Sequence, residues 1–192
     1  MSKHTRLSIE DYKDSAEILR VYDVEQEGWE QEPNSVKANL THIFTHLGKD
    51  FTRKCFTNPD VVRDSIAPDS FMYGLRLLRW TRQSPDVLQN GRVRMLVDSR
   101  ETTAVNMGDS HSLRAFGAGF GQLADYLHAT GHAAERKKAQ LNRDETLACA
   151  AGLLVVSAEI QADEFGFDLP TAFNDRLAEL RERFGIPAAP EA

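Results

Sequence analysis

The chain has 192 residues, 41% hydrophobic and 27% charged, which is enough ordinary globular sequence for one domain with a substantial core. A formal charge of −6 argues against a general nucleic-acid binder, and the run Arg136-Lys137-Lys138 is too short to reverse it. The longest apolar run, residues 148–158, falls short of a bilayer crossing and reads as a buried helix; no apolar signal core follows Met1, so the expectation is a cytoplasmic protein with no membrane partner.

Ser8 with Asp11 three residues later forms a box-like helix start, and Ile9, Tyr12, Ala16 and Leu19 make one apolar stripe. This first helix should end before Gly28. Gln31-Glu32-Pro33-Asn34 breaks the chain, and Asn34 or Ser35 can cap a second helix over about residues 36–55. Asn58-Pro59-Asp60 has the order of cap, first helical position and acidic first turn. Pro68 interrupts the helix begun there, as a kink or a new start, and Phe71, Met72, Leu75 and Leu78 then fall at helical spacing. Ser84-Pro85-Asp86 restarts the chain as a short turn or helix.

Residues 91–109 lose the helical rhythm. Residues 92–97 alternate like a strand and residues 103–107 can pair with them, so a short β-hairpin insertion is expected. Ser110 or Ser112 starts the next helix, and Gly131 ends it. Asn142, with Glu145 three positions on, caps a long apolar helix through Leu147, Ala151, Leu154 and Ala158 to Phe165, where Gly166 stops it. Asp168-Leu169-Pro170 opens the last helix, whose Phe173, Leu177, Leu180 and Phe184 face inward, and residues 187–192 form a frayed tail. Amphipathic helices with short joins predict an all-α antiparallel bundle in a single domain over residues 1–192.

Two stretches look like copies of one helix. Leu40-x-x-Ile43-x-x-x-Leu47-Gly48-x-x-Phe51 matches Leu113-x-x-Phe116-x-x-x-Phe120-Gly121-x-x-Ala124 in its apolar positions and its glycine. A second long apolar helix comes after each. The chain therefore divides into two similar helical hairpins, over about residues 36–88 and 112–185, with residues 91–109 inserted between them.

Few residues suggest chemistry. His42 and His46 are spaced i, i+4, and Asp50 continues their row. With Asp69 nearby, His46, Asp50 and Asp69 are candidate ligands for a transition metal, against the plainer reading of solvated polar residues beside an apolar stripe. Lys49, Arg53 and Lys54 lie close by, and Arg76, Arg79 and Arg82 mark a later helix. Lys49, Arg53 and Arg76 are the candidate contacts for an anionic ligand such as phosphate; the alternative is a solvated basic face. His128 and His132 repeat the histidine spacing, but Gly131 comes between them. The glycines of Gly117-Ala118-Gly119-Phe120-Gly121 lack a phosphate-loop context and suit a close helix–helix approach. Gly108-Asp109-Ser110-His111 is accounted for by helix capping, and Trp29 and Trp80 by packing. Cys55 and Cys149 share no CxxC spacing and read as small core residues.

The second hairpin, from Asp144-Glu145-Thr146-Leu147-Ala148-Cys149 through Phe165-Gly166-Phe167-Asp168-Leu169 to Arg183-Phe184, resembles the end of MazG-like proteins, which are all-α nucleotide pyrophosphohydrolases. The first hairpin echoes it at Ala67-Pro68-Asp69 and Asp86-Val87-Leu88. The resemblance implies a nucleoside triphosphate as ligand, magnesium or another divalent cation as cofactor, and a homo-oligomer. It also implies an acidic motif, E-E-x-x-E on one helix and E-x-x-D on the next, because magnesium needs hard oxygen ligands projecting from one helical face. This chain departs from that motif. The glutamate positions fall on Thr45, His46 and Lys49 and on Ala118, Gly119 and Gln122, and residues 40–56 contain no glutamate. The second-helix pair falls on Ile66 and Asp69 and on Thr146 and Cys149, with Glu145 adjacent, so only Asp69 survives. The expectation is a non-catalytic MazG-like protein that binds a nucleotide or a protein. The alternatives are an active pyrophosphohydrolase with rearranged ligands and a helical assembly protein with no small-molecule site.

Overall fold

A computed structural model describes residues 7–25, 36–54, 56–88, 111–131 and 143–186. Among these, every regular element is helical: α1 (Ile9–Glu25), α2 (Val36–Arg53), α3 (Pro59–Val61), a π-helical segment (Val62–Ile66), α4 (Ala67–Trp80), a 3₁₀ turn (Pro85–Leu88), α5 (His111–Gly131), α6 (Arg143–Phe165) and α7 (Leu169–Phe184). The all-α class is as expected. The predicted hairpin within 91–109 and the cap at Asn142 lie outside the described residues, as do Cys55, His132 and the tail.

Local chemistry explains the boundaries. At the start of α1 the Ser8 backbone and hydroxyl both donate to Asp11 Oδ2, at 3.0 and 2.7 Å, and the Asp11 N–H donates back to Ser8 Oγ at 3.1 Å. Asn58 Oδ1 accepts from the N–H groups of Asp60 and Val61, with Pro59 at the first helical position. Pro68 neither breaks the helix nor starts one after a gap. Helix runs unbroken through it, and the turn before it widens to π geometry, with the Ala67 N–H bonded to the Val62 carbonyl. Proline lacks the N–H that an α-helical turn would use, and the wider turn absorbs the mismatch. Asp168 caps α7 through the Thr171 N–H at 2.9 Å. Gly185, at φ 65°, closes α7: the Ile186 N–H reaches the Arg181 carbonyl at 2.9 Å and the Gly185 N–H reaches Glu182 at 3.2 Å.

Helix α6 is the centre of the bundle. Every residue from Leu147 to Ala162 on it is buried, so it carries apolar groups all round rather than on one stripe. By length and composition it is apolar enough to cross a membrane, contrary to the sequence-based expectation, but 89% of its most apolar window is covered by the rest of the fold. Helices α4 and α5 cover two of its sides. Tyr12 touches both Phe71 and Glu159 while Gly74 meets Val155 and Ala151, so α4 and α6 run antiparallel. On the other side Gly119 lies against Leu154 and Ala150. Helix α2 packs on α5, also antiparallel, with Phe44 stacked on Phe120 at 4.5 Å and Phe51 parallel to Phe116 at 6.4 Å. Helix α7 closes on α4 through the edge-to-face pair Phe71–Phe173 at 5.3 Å.

The close helix approach expected of the glycine run occurs at Gly119 alone; Gly117 and Gly121 face open space. A tighter approach occurs at Gly74, where an added Cβ would lie 2.7 Å from Val155 Cγ2 and 2.9 Å from the Ala151 carbonyl oxygen. Gly74→Ala should therefore destabilise the fold by roughly 1–3 kcal/mol despite its better helix propensity, because a backbone atom cannot step aside. Gly121→Ala should be neutral or mildly stabilising. Chemical denaturation of the two variants checks the contrast.

Candidate functional site

Three helices each turn one stripe of side chains toward a shared cleft of about 800 Å³. Helix α2 offers His42, His46, Lys49, Asp50 and Arg53, which recur at the three- and four-residue steps of one helical face, with Lys54 just beyond its end. Helix α4 presents Asp69, Met72, Tyr73 and Arg76, and α7 presents Arg176, Leu180, Arg183 and Phe184. Tyr22 and Glu25 complete the wall from α1. The six residues singled out in the sequence as ligand or metal contacts, Lys49, Arg53, Arg76, His46, Asp50 and Asp69, all line this one cleft.

The two carboxylates among them are ion-paired. Asp69 is only 5% exposed. It accepts a two-pronged contact from Arg176, with Nε to Oδ1 at 2.9 Å and Nη2 to Oδ2 at 3.1 Å. Its Oδ2 also takes the Lys54 ammonium at 3.0 Å, and the same ammonium reaches Asp50 Oδ1 at 2.7 Å and Ser65 Oγ. Arg176 additionally donates to Glu179 at 2.7 Å. Burial works against the charge on Arg176, but Asp69 and Glu179 outweigh it and hold the guanidinium above its ordinary pKa. Among the described residues no group of three His, Cys, Asp or Glu side chains is placed to hold a metal ion. His46, Asp50 and Asp69 share the cleft without forming such a group, and the two carboxylates are paired with Lys54 and Arg176.

Arg76 is likewise committed elsewhere. It is 3% exposed and grips Asp23 of α1, which is fully buried, with Nε 3.1 Å from Oδ2 and Nη2 against Oδ1. Arg79 adds a contact to Asp23 Oδ2 at 2.6 Å. Arg76 shapes the cleft floor, with its guanidinium 5.7 Å from the Tyr73 ring, more than it offers itself to a ligand. Lys54 stood in the predicted basic group, but its pairing with Asp50 and Asp69 was not foreseen, and Asp23 and Arg176 were missed as site-forming residues in the sequence. Asp23 carried a signal, because it extends the α1 stripe of Tyr12, Ala16 and Leu19 by one more turn, and an acid on an apolar stripe asks for a buried cation.

Lys49, Arg53 and Arg183 remain. They line the cleft, are exposed, and form no ion pair among the described residues. The lining holds six Lys and Arg residues against three Asp and Glu residues, within a chain of net charge −6. The His42 and His46 rings lie 4.4 Å apart, tilted by 37°; burial, then neighbouring positive charge, lowers both pKa values and favours neutral imidazoles. Burial, and then the Asp69 charge, raises the Tyr73 phenol well above its usual range, so it stays protonated as a donor. The cleft as a whole can hold an anion beside an apolar wall of Tyr22, Met72, Leu180 and Phe184.

Asp50 titrates in an unusual place. Burial and the Asp69 charge push its pKa up to about 6 from 3.8, despite Lys54, and its buried Oδ2 accepts no hydrogen bond among the described residues. The folded state thus binds this proton more tightly than the unfolded chain, so the stability linked to Asp50 is present below pH 4 and is lost as pH rises through 6. Asp50→Asn removes the penalty. Its stability relative to the parent should rise by on the order of 2–3 kcal/mol between pH 4 and pH 7, measured by urea unfolding at both values.

Comparison with known proteins provides no relative to lean on: no family model matches the chain, and neither a curated protein nor a solved structure matches it. Fold and site together define an all-α protein with a cationic, aromatic-edged cleft.

Proposed function

We propose that the chain is a MazG-like helical protein that binds a nucleotide in the α2–α4–α7 cleft without hydrolysing it. The observation that carries this reading is the local inversion of charge: an acidic protein concentrates six cationic side chains around one cleft, three of them without an ion pair among the described residues. A phosphate chain suits Lys49, Arg53 and Arg183, since charge-assisted hydrogen bonds to phosphate are among the stronger polar contacts. The apolar wall suits a base, and the cleft volume is in the usual range for a small-molecule site.

Two further observations support the MazG-like part. Matching helices of the two hairpins pack on each other, α2 on α5 and α4 on α6, the arrangement a doubled hairpin gives when it mimics a dimer. The carboxylates that metal-dependent hydrolysis would need are paired with Lys54 and Arg176, which favours binding over turnover.

Calorimetric titration with nucleoside mono-, di- and triphosphates, alongside hydrolysis assays with magnesium and manganese, tests the proposal. Binding without turnover is the expected result. Turnover that disappears in Asp69→Ala would instead make the protein an active pyrophosphohydrolase. No heat at millimolar nucleotide would leave a helical assembly protein.

A further inference from the structure

The Lys54 ammonium sits at the only point where two buried carboxylates of the cleft meet among the described residues. Asp50 and Asp69 are each 5% exposed, and they approach from different helices, one from α2 and one from the start of α4. An ammonium has three N–H donors and no acceptor. Here its three neighbours are three oxygens: Asp50 Oδ1 at 2.7 Å, Asp69 Oδ2 at 3.0 Å and Ser65 Oγ. All three donors are spent inside the protein. Lys54 therefore has no donor left for a ligand, and its position between the carboxylates is the one a bound cation would take. Arg176 supplies the second positive charge against Asp69, so the cluster of two carboxylates and two cations is electrically balanced.

We propose that Lys54 is a built-in substitute for a divalent cation: it holds Asp50, Asp69 and Ser65 together and lets the cleft accept a phosphorylated ligand with no metal bound. Free carboxylates at this depth would repel a phosphate, and in most sites a metal ion neutralises them. Here a lysine at the end of α2 does so permanently. Phosphate recognition then falls to Lys49, Arg53 and Arg183, which line the same cleft and form no ion pair among the described residues. The ligand part of this inference rests on the nucleotide-binding proposal; the metal part does not.

The test uses Mn²⁺ alone first, followed by electron paramagnetic resonance and thermal unfolding. The full chain should bind no Mn²⁺ at this site up to about 1 mM and show no change in Tm, since the carboxylates are occupied. Lys54→Met leaves both carboxylates without their shared cation, so it should lose thermal stability and gain an Mn²⁺ site at least ~10-fold tighter than the parent, with Mn²⁺ restoring about 4 °C or more of Tm. If Lys54→Met unfolds without metal, that restoration is itself the readout. Asp69→Asn in the Lys54→Met background should abolish it. Parent protein that binds Mn²⁺ through Asp69, or Lys54→Met protein with the same null response as the parent, overturns the inference. A second arm titrates ATP into the parent with and without EDTA. Affinities within about twofold are expected, and a loss of tenfold or more in EDTA overturns the inference. If ATP fails to bind in either condition, the nucleotide-binding proposal fails while the Mn²⁺ arm still decides the role of Lys54.

Discussion

Asp23→Ala is expected to lower folding stability by about 3–5 kcal/mol. Asp23 is fully buried and holds both Arg76 and Arg79. Removing it strips Arg76, 3% exposed, of the carboxylate it grips in the core between α1 and α4. The cost comes chiefly from the guanidinium left behind, so the double variant Asp23→Ala/Arg76→Met should recover much of the loss. Urea unfolding of the two variants measures this directly. Equal destabilisation in both would mean that the ion pair itself, and not the guanidinium deprived of Asp23, dominates. Because Arg76 also floors the cleft, the single variant should weaken ligand binding in step with its loss of structure, whereas the double variant should retain the cleft.

Lys49→Glu/Arg53→Glu is expected to reduce nucleotide affinity by at least ~100-fold with little change in stability. Two charge-assisted contacts contribute about 1.5–3 kcal/mol each, and every 1.4 kcal/mol is a factor of ten. Both side chains are exposed and form no ion pair among the described residues, so the fold loses nothing by their reversal. The same pair should also set the salt dependence of binding, which the double variant would flatten. Calorimetry at two ionic strengths reads both effects. Unchanged affinity would place the ligand away from the α2 stripe.

Much of the fold was legible because its signals are local. Ser8 with Asp11, Asn58 with Pro59 and Asp60, and Asp168 before Pro170 each satisfy helix-end N–H groups within three residues, and each forms as the sequence suggests. Pro68 was ambiguous because a proline states only that an N–H is missing. Whether the chain breaks or widens depends on what surrounds it, and here buried Ile66, Ala67 and Phe71 keep the helix whole. The length of α6 and the burial of its apolar run were legible, but which helices cover it was not, because the covering surfaces are distant in the chain.

The candidate site obeys the same division. The rows His42–His46–Asp50 and Lys49–Arg53 could be placed on one helical face from spacing alone, and they do share a cleft. Which charge answers which could not be read, because the partners lie far apart in the chain: Arg176 is 107 residues from Asp69, and Arg76 is 53 from Asp23. The sequence placed a carboxylate pair near a histidine and suggested a metal. Packing instead delivered a lysine and an arginine to those carboxylates. Their like charges would otherwise face each other in a buried site, which is the circumstance that demands a cation.

The most direct check of a metal-free nucleotide cleft is an amide chemical-shift titration of the labelled protein with ATP in EDTA. The account predicts saturable shifts concentrated on residues 42–54, 69–76 and 176–186, with other described residues largely silent. Shifts confined to another surface, or a spectrum unchanged until a divalent cation is added, would contradict it.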